Sequence, residues 1–219
     1  MAIAFDAVTH SAFKNGTANT QTHTATGSDL LALIHIYSSA DQVTGVTYAG
    51  TSCTFINKQL MTDAAAGQYI RTYYILSPAT GSQTIQVNSS SALGGYFSII
   101  TYTGVAQTGQ PDASNQQATS PATSLTTTVT TTADNCWLMG YAYHGLTLSA
   151  GSGTTLRGGS VAGILEVMDS NAALTPAGSH SLITTSASTF TGHVVASFSP
   201  AGGGGGGATL PQFKGFARL

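Results

Sequence analysis

Residues 30–37, "LLALIHIY", constrain the fold more than any other stretch of this 219-residue chain. Alternation along a strand puts Leu31, Leu33, His35 and Tyr37 on one face and Ala32, Ile34 and Ile36 on the other. Both faces are therefore apolar. Such a strand cannot lie with one side in water and belongs at the centre of a packed sheet.

The same period of two continues along the chain. "GVTYAG" and "TSCTFIN" form a hairpin about Ala49-Gly50. "QYIRTYYILS" is a strand stopped by Pro78, and "SQTIQVN" sets Ile85 and Val87 against polar neighbours. "GYFSIITYTG" is rich in β-branched and aromatic residues. A polar loop, "GQPDASNQQATSPATS", precedes "LTTTVTTT", in which Leu125 and Val129 face inward. "CWLMGYAYHG", "GILEVMD", "HSLITTSA" and "GHVVASFS" complete about a dozen strands separated by turn residues. "MTDAAAGQ" has room for one helical turn at most, and no exact internal repeat is visible. The expected fold is all-β: a single antiparallel β-sandwich, jelly-roll-like, over residues 1–200. Residues 201–219 form an extended C-terminal tail, a Gly-rich linker followed by a docking peptide.

Charge narrows the function classes. Charged residues make up 6% of the chain, against roughly 25% in ordinary globular proteins. A net charge of −2 with no basic stripe excludes nucleic acid and membrane surfaces as partners. The longest apolar run falls well short of the ~18 residues a membrane-spanning helix needs. The first residues lack a basic region followed by an apolar one, so synthesis in the cytosol without an export signal is expected. Cys53 and Cys136 are expected to be buried free thiols, with a single disulfide between them as the alternative.

Groups for acid–base chemistry are few. His10 and His23 lie in polar, turn-like contexts, His35 in the most apolar strand, and His144, His180 and His193 in later strands. None has metal-site spacing, and no nucleophile or phosphate-loop motif is present. His35 is expected to be a hydrogen-bonded structural histidine. Glu166 and Asp169 are the one close acidic pair in the later strands, but their spacing turns them to opposite faces, whereas a glycosidase needs two convergent carboxylates. Asp112, after a proline, is expected to cap a turn. A non-enzymatic protein without cofactor or metal follows. Sugar binding is the competing expectation. Its candidate aromatics are Tyr48, Tyr69, Tyr73, Tyr74, Tyr102, Tyr141, Tyr143 and Trp137, residues that in a large β-core more commonly fill the interior.

Five segments, "DLLALIHIYSS", "VTGVTYAGTSCTFIN", "YYILSPATGSQTIQVNSS", "GGYFSIITYTGVAQTGQPDAS" and "TTTADNCWLMG", resemble a jelly-roll/β-sandwich family of tailed-phage virion proteins and bacterial surface proteins. The resemblance covers roughly residues 28–140. It implies a virion structural protein, an accessory or decoration component of head or tail whose partners are copies of itself and other virion proteins. A carbohydrate- or receptor-binding module that takes surface glycans is the alternative. The same resemblance gives "AGGGGGGATLPQFKGFARL" a purpose: Phe213, Phe216 and Leu219 serve as apolar anchors, and Lys214 and Arg218 as ion-pair donors. Ordering six glycines costs backbone entropy, which neighbouring chains or the protein's own body would offset.

Overall fold

The computed structural model describes residues 1–61, 67–159, 161 and 163–202. All regular structure there is antiparallel strand, and no helix occurs among the described residues. The first sheet joins β1 (Ala4–His10), β9 (Gly95–Thr103), β3 (Leu31–Ser38), β7 (Tyr69–Leu76) and β6 (Thr54–Leu60), in that order. The second joins β2 (Ala18–Ala25), β8 (Gly81–Ser89), β4 (Val43–Tyr48) and β5 (Thr51–Ser52). The pairs β1/β9, β2/β8, β3/β7 and β4/β5 nest one inside the next, the wrapping of a jelly roll. The expected hairpin is present at its turn, where Thr51–Ser52 pairs with β4, but the rest of "TSCTFIN" crosses to the first sheet and pairs with β7 from Thr54 onward. Ala49 and Gly50 both have positive φ, 48° and 81°, as a two-residue turn matched to strand twist requires.

The third sheet joins β10 (Ala113–Thr130), β15 (Ser179–Phe198), β11 (Trp137–His144), β14 (Leu165–Asp169) and β13 (Thr155–Leu156), with β12 (Leu148–Ala150) beside β15. The β10/β15 ribbon curls over, so that Val129 and Leu182 from its distal half pack on Leu138, Ala142 and Val195.

These layers place the first sheet in the middle of a stack. Ala32, Ile34, Ile36, Phe97 and Ile99 face the second sheet's Val46, Tyr48, Ile85 and Val87. Leu31, Leu33, Ile70 and Ile100 face the third sheet's Met139, Tyr141, Val194 and Phe198. Antiparallel sheets pack face to face as expected of a sandwich, and the double-sided apolarity of β3 is met by a sheet on each side. Gly140, in β11, allows a close approach: a Cβ there would lie 2.6 Å from the carbonyl oxygen of Val194.

The structure contains a repeat that the amino-acid identities hide. The order β1-β9-β3-β7 reappears as β10-β15-β11-β14. The order β2-β8-β4 reappears as the distal halves of β10 and β15 with β12. Asp6 accepts from the Thr26 N–H, the Thr26 hydroxyl and the Thr101 hydroxyl. Asp112 accepts from the Thr132 N–H, the Thr132 hydroxyl and the Ser197 hydroxyl. The offset that carries Asp6 to Asp112 and Thr26 to Thr132 also carries His35 to Tyr141 and Tyr37 to Tyr143. Those equivalent residues touch. The rings of His35 and Tyr141 stack at 5.1 Å, and those of Tyr37 and Tyr143 at 5.2 Å. Contact between equivalent positions is the signature of a two-fold interface, so two jelly-roll halves meet about a pseudo-two-fold axis between β3 and β11.

Three expectations need correcting. Most of the expected polar loop at 109–124 is the first half of β10, which hydrogen-bonds along β15 from Ala113↔Ser197 onward; backbone pairing defines it, and its side chains are largely solvated. "HSLITTSA" and "GHVVASFS" are not separate strands but one, β15. His10 and His23 lie in β1 and β2, not in turns. In β2 the buried positions include Asn19 and His23, which a hydrophobic alternation does not reveal. The possible helical turn at 61–68 falls largely on residues outside those described.

The double-sided burial of β3 is tested by adjacent truncations. Leu33→Ala and Ile34→Ala are each expected to lower the unfolding free energy in urea by about 2–5 kcal/mol. A near-neutral effect of either would mean that one face of β3 is open.

Candidate functional site

The ionisable groups are built into the framework. His23 bridges β1 and β9: Nδ1 is 2.9 Å from the Thr9 hydroxyl and Nε2 is 3.1 Å from the Thr101 hydroxyl. Thr101 gives its proton to Asp6, at 2.7 Å, so Nε2 of His23 carries a proton and donates. Burial, partly opposed by Asp6, brings the His23 pKa down to about 4. Burial raises the Asp6 carboxyl, but hydrogen bonds from Thr26 and Thr101 outweigh it and leave the group below its ordinary value. His35, fully buried, has Nδ1 at 2.9 Å from the Thr72 hydroxyl, and burial holds it at about 3. It is the hydrogen-bonded histidine that its apolar strand predicts.

A second chain of polar groups runs through the other half. The Thr184 hydroxyl lies 2.6 Å from Nε2 of both His144 and His193. Beyond them, Nδ1 of His144 is 2.9 Å from the Ser186 hydroxyl, and Nδ1 of His193 is 3.1 Å from the Thr127 hydroxyl. Thr184 has one proton, so it donates to one imidazole and accepts from the other. Burial keeps both neutral, at about 4 for His144 and about 3 for His193.

The acidic pair diverges as expected. Glu166 turns toward the face of Met168 and accepts from the Gly163 N–H at 2.6 Å. Asp169 turns the other way, fully buried. Arg157 donates to it through Nε at 2.8 Å and Nη2 at 3.0 Å, and the Tyr102 hydroxyl donates at 2.8 Å. Arg157 in turn lies 4.7 Å over the Phe5 ring. This cluster fastens β14 to β9 and β1. Asp112, expected to cap a turn beside Pro111, instead accepts from Thr132 and Ser197, both distant in the chain. Both cysteines are free, Cys136 buried and Cys53 half-buried. Among the described residues no group of three His, Cys, Asp or Glu could hold a metal ion.

Of the aromatics singled out for sugar binding, Tyr48, Tyr73, Tyr102, Tyr141, Tyr143 and Trp137 are buried, and Tyr69 and Tyr74 are half-buried. The aromatic feature at the surface is different. Phe13, Tyr96, Tyr37, Tyr143 and Phe190 follow one another at centroid spacings of 5.2–6.4 Å. Tyr37 and Tyr143 spend their ring faces on each other, and Tyr143 also stacks on Phe190. Phe13, at the open end, is 55% exposed.

Two cavities share one wall, Pro200–Gly202, at the end of the molecule where the halves exchange backbone bonds: Ala106 N donates to Ser199 O and Ala201 N to Gly104 O. The first, about 310 Å³, is lined by Ile3, Trp137 and Ala173. The second, about 580 Å³, is lined by Asp29, Gln107, Gln110, Asp112 and Thr132. They are counterparts under the internal repeat, since its offset carries Asp29 to Asn135 and Ala2 and Ile3 to Thr108 and Gly109, which line the opposite cavities. Hydropathy gives no hint of them, because their walls come from distant parts of the chain; Pro200 and Gly202 closing the last strand are the sole local sign. Phe213, Lys214, Phe216, Arg218 and Leu219 lie outside the described residues. No protein-family model, curated protein or solved structure matches the chain.

Four neutral histidines fix the sign of the pH response. His23, His35, His144 and His193 all titrate below the ordinary value of 6.5. Between 6.5 and their folded values the unfolded chain takes up protons that the folded one refuses. Their stabilisation is complete above the unfolded value and is lost as pH falls through that window. Glu166, raised by burial, acts in the opposite sense near its own lower range. The urea midpoint is expected to fall between about pH 7 and about pH 4.5, with a shallower slope in His193→Gln. A flat midpoint in the parent protein would contradict the assignment.

Proposed function

We propose that the chain is a non-enzymatic structural protein of a phage virion, an accessory or decoration component of head or tail that assembles by packing against copies of itself and other virion proteins. The observation that carries the assembly part of this reading is the pseudo-two-fold interface. A jelly-roll half of this sequence type already packs on its like through equivalent residues, His35 on Tyr141 and Tyr37 on Tyr143. The distribution of charge agrees with it. Arg71, Glu166, Asp169 and four histidines are buried, while the outward positions of β2 and β10 are largely Thr, Ser, Asn and Gln. Surfaces of that composition approach one another with little like-charge repulsion. The virion setting rests on the sequence resemblance over residues 28–140.

A carbohydrate- or receptor-binding module is the second reading. It is favoured by Phe13 and by Phe55, 46% exposed, each with a ring available at the surface; the inner rings of the aromatic row face one another. A glycan array in which binding is lost in Phe13→Ala would support this reading over assembly.

The assembly reading is tested on density-gradient-purified virions from the infection that produces this chain. Quantitative peptide mass spectrometry is expected to find many copies per particle. Recovery of the chain in the soluble lysate alone would contradict it.

A further inference from the structure

The two cavities beside Pro200–Gly202 are counterparts, yet they are furnished differently. In the first half, the chain leaving β9 crosses its cavity as residues 106–110 and is held there. The Gln107 side-chain amide donates to Leu30 O at 3.2 Å and to Val105 O at 2.7 Å, and the Tyr74 hydroxyl donates to Gln110 O at 2.6 Å. In the second half, the chain leaving β15 reaches the rim of the other cavity at Gly202, which has φ +78°. Residues 203–219 follow.

We propose that the apolar cavity of Ile3, Trp137 and Ala173 is the docking site of this chain's own C-terminal segment, with Phe213 or Phe216 as the anchor that fills it. Three observations support this occupant. Internal symmetry sets the described start of the β15 continuation, Pro200–Gly202, at the rim of this cavity, as the continuation of β9 runs along the wall of its counterpart. Reach is ample: the stretch 203–212 spans roughly 30 Å when extended, at about 3.3 Å per residue, and its tether holds the anchor at an effective concentration on the order of millimolar. Charge is complementary. All eight acidic residues precede Gly202, whereas Lys214 and Arg218 follow it. Asp29 and Asp112, across the shared wall, make no ion pair with any described residue; Asp41 and Asp169 take Lys58, Arg71 and Arg157. A segment alternating aromatic and cationic residues therefore meets an apolar cavity beside an acidic one. The glycine run suits the crossing, since backbone without side chains can turn at the rim and lie close to Pro200. The inference needs no second copy and does not depend on the virion reading.

Trp137 is the single tryptophan of the chain and lines the cavity, so it reports directly on the occupant. In the full-length protein, Phe213→Ala/Phe216→Ala is expected to red-shift the Trp137 emission, raise its quenching by acrylamide and move the Trp137 indole N–H and Ile3 methyl resonances. Lys214→Glu/Arg218→Glu is expected to do the same in part. Both variants leave the body intact, as unchanged far-ultraviolet circular dichroism would show, and the wild-type spectra are expected to be identical on dilution. Trp137 and Ile3 signals that ignore the tail substitutions would overturn the proposal. Protection of Trp137 that is lost on dilution would also overturn it, because the occupant would then be another copy's tail.

Discussion

Everything in this structure depends on the face that β3 turns toward β11. Had the first sheet been covered on one side alone, the row Leu31, Leu33, His35 and Tyr37 would meet water, and so would the matching row Trp137, Met139, Tyr141 and Tyr143. Burying each large apolar side chain contributes about 1.5–3 kcal/mol, so the two rows hold the halves together far more strongly than any surface ion pair present. Stacked ring pairs add about 0.5–1.5 kcal/mol each beyond the area they bury. The contacts are isologous, and substitution on one side of the axis strains its counterpart.

That constraint decides what becomes of the polar groups on the shared faces. A jelly-roll half has two sheet faces inside and two outside, and fusing two halves removes one outside face from each. Polar residues on the lost faces must find partners within the fold. Asp169 does so with Arg157 and Tyr102, and His35 with Thr72. Asp6 and Asp112, at equivalent positions, each secure a threonine at the start of the loop into the central strand. Their roles are framework roles, and burial holds the His35 imidazole neutral at neutral pH.

How much of this was legible in the sequence depended on which force shaped each element. Strand β3 declared itself because both faces are apolar, and Leu125 and Val129 were readable as inward because threonines flank them. The Ala49-Gly50 turn showed through its glycine. Strand β2 was hidden because its buried positions include Asn19 and His23, which are satisfied by hydrogen bonds rather than by apolar contact. The first half of β10 was hidden because backbone pairing with β15 holds it while its side chains remain wet. The repeat was hidden because the two halves share only scattered identities, such as Asp6 with Asp112, Thr26 with Thr132 and Tyr37 with Tyr143, while elsewhere a histidine stacks where its counterpart is a tyrosine and a leucine packs where its counterpart is a tryptophan. The paired cavities, walled by residues distant from one another in the chain, have no local signature beyond Pro200 and Gly202.

Native-state hydrogen exchange across the whole chain tests the central claim, that the two halves are one cooperative unit joined at β3 and β11. Amides of Leu31–Tyr37 and of Trp137–Tyr143 are expected to exchange only through global unfolding, with the same opening free energy and the same denaturant dependence. If the β11 amides exchanged through a smaller opening while those of β3 stayed protected, the halves would be separable and the shared face would not be what holds the structure together.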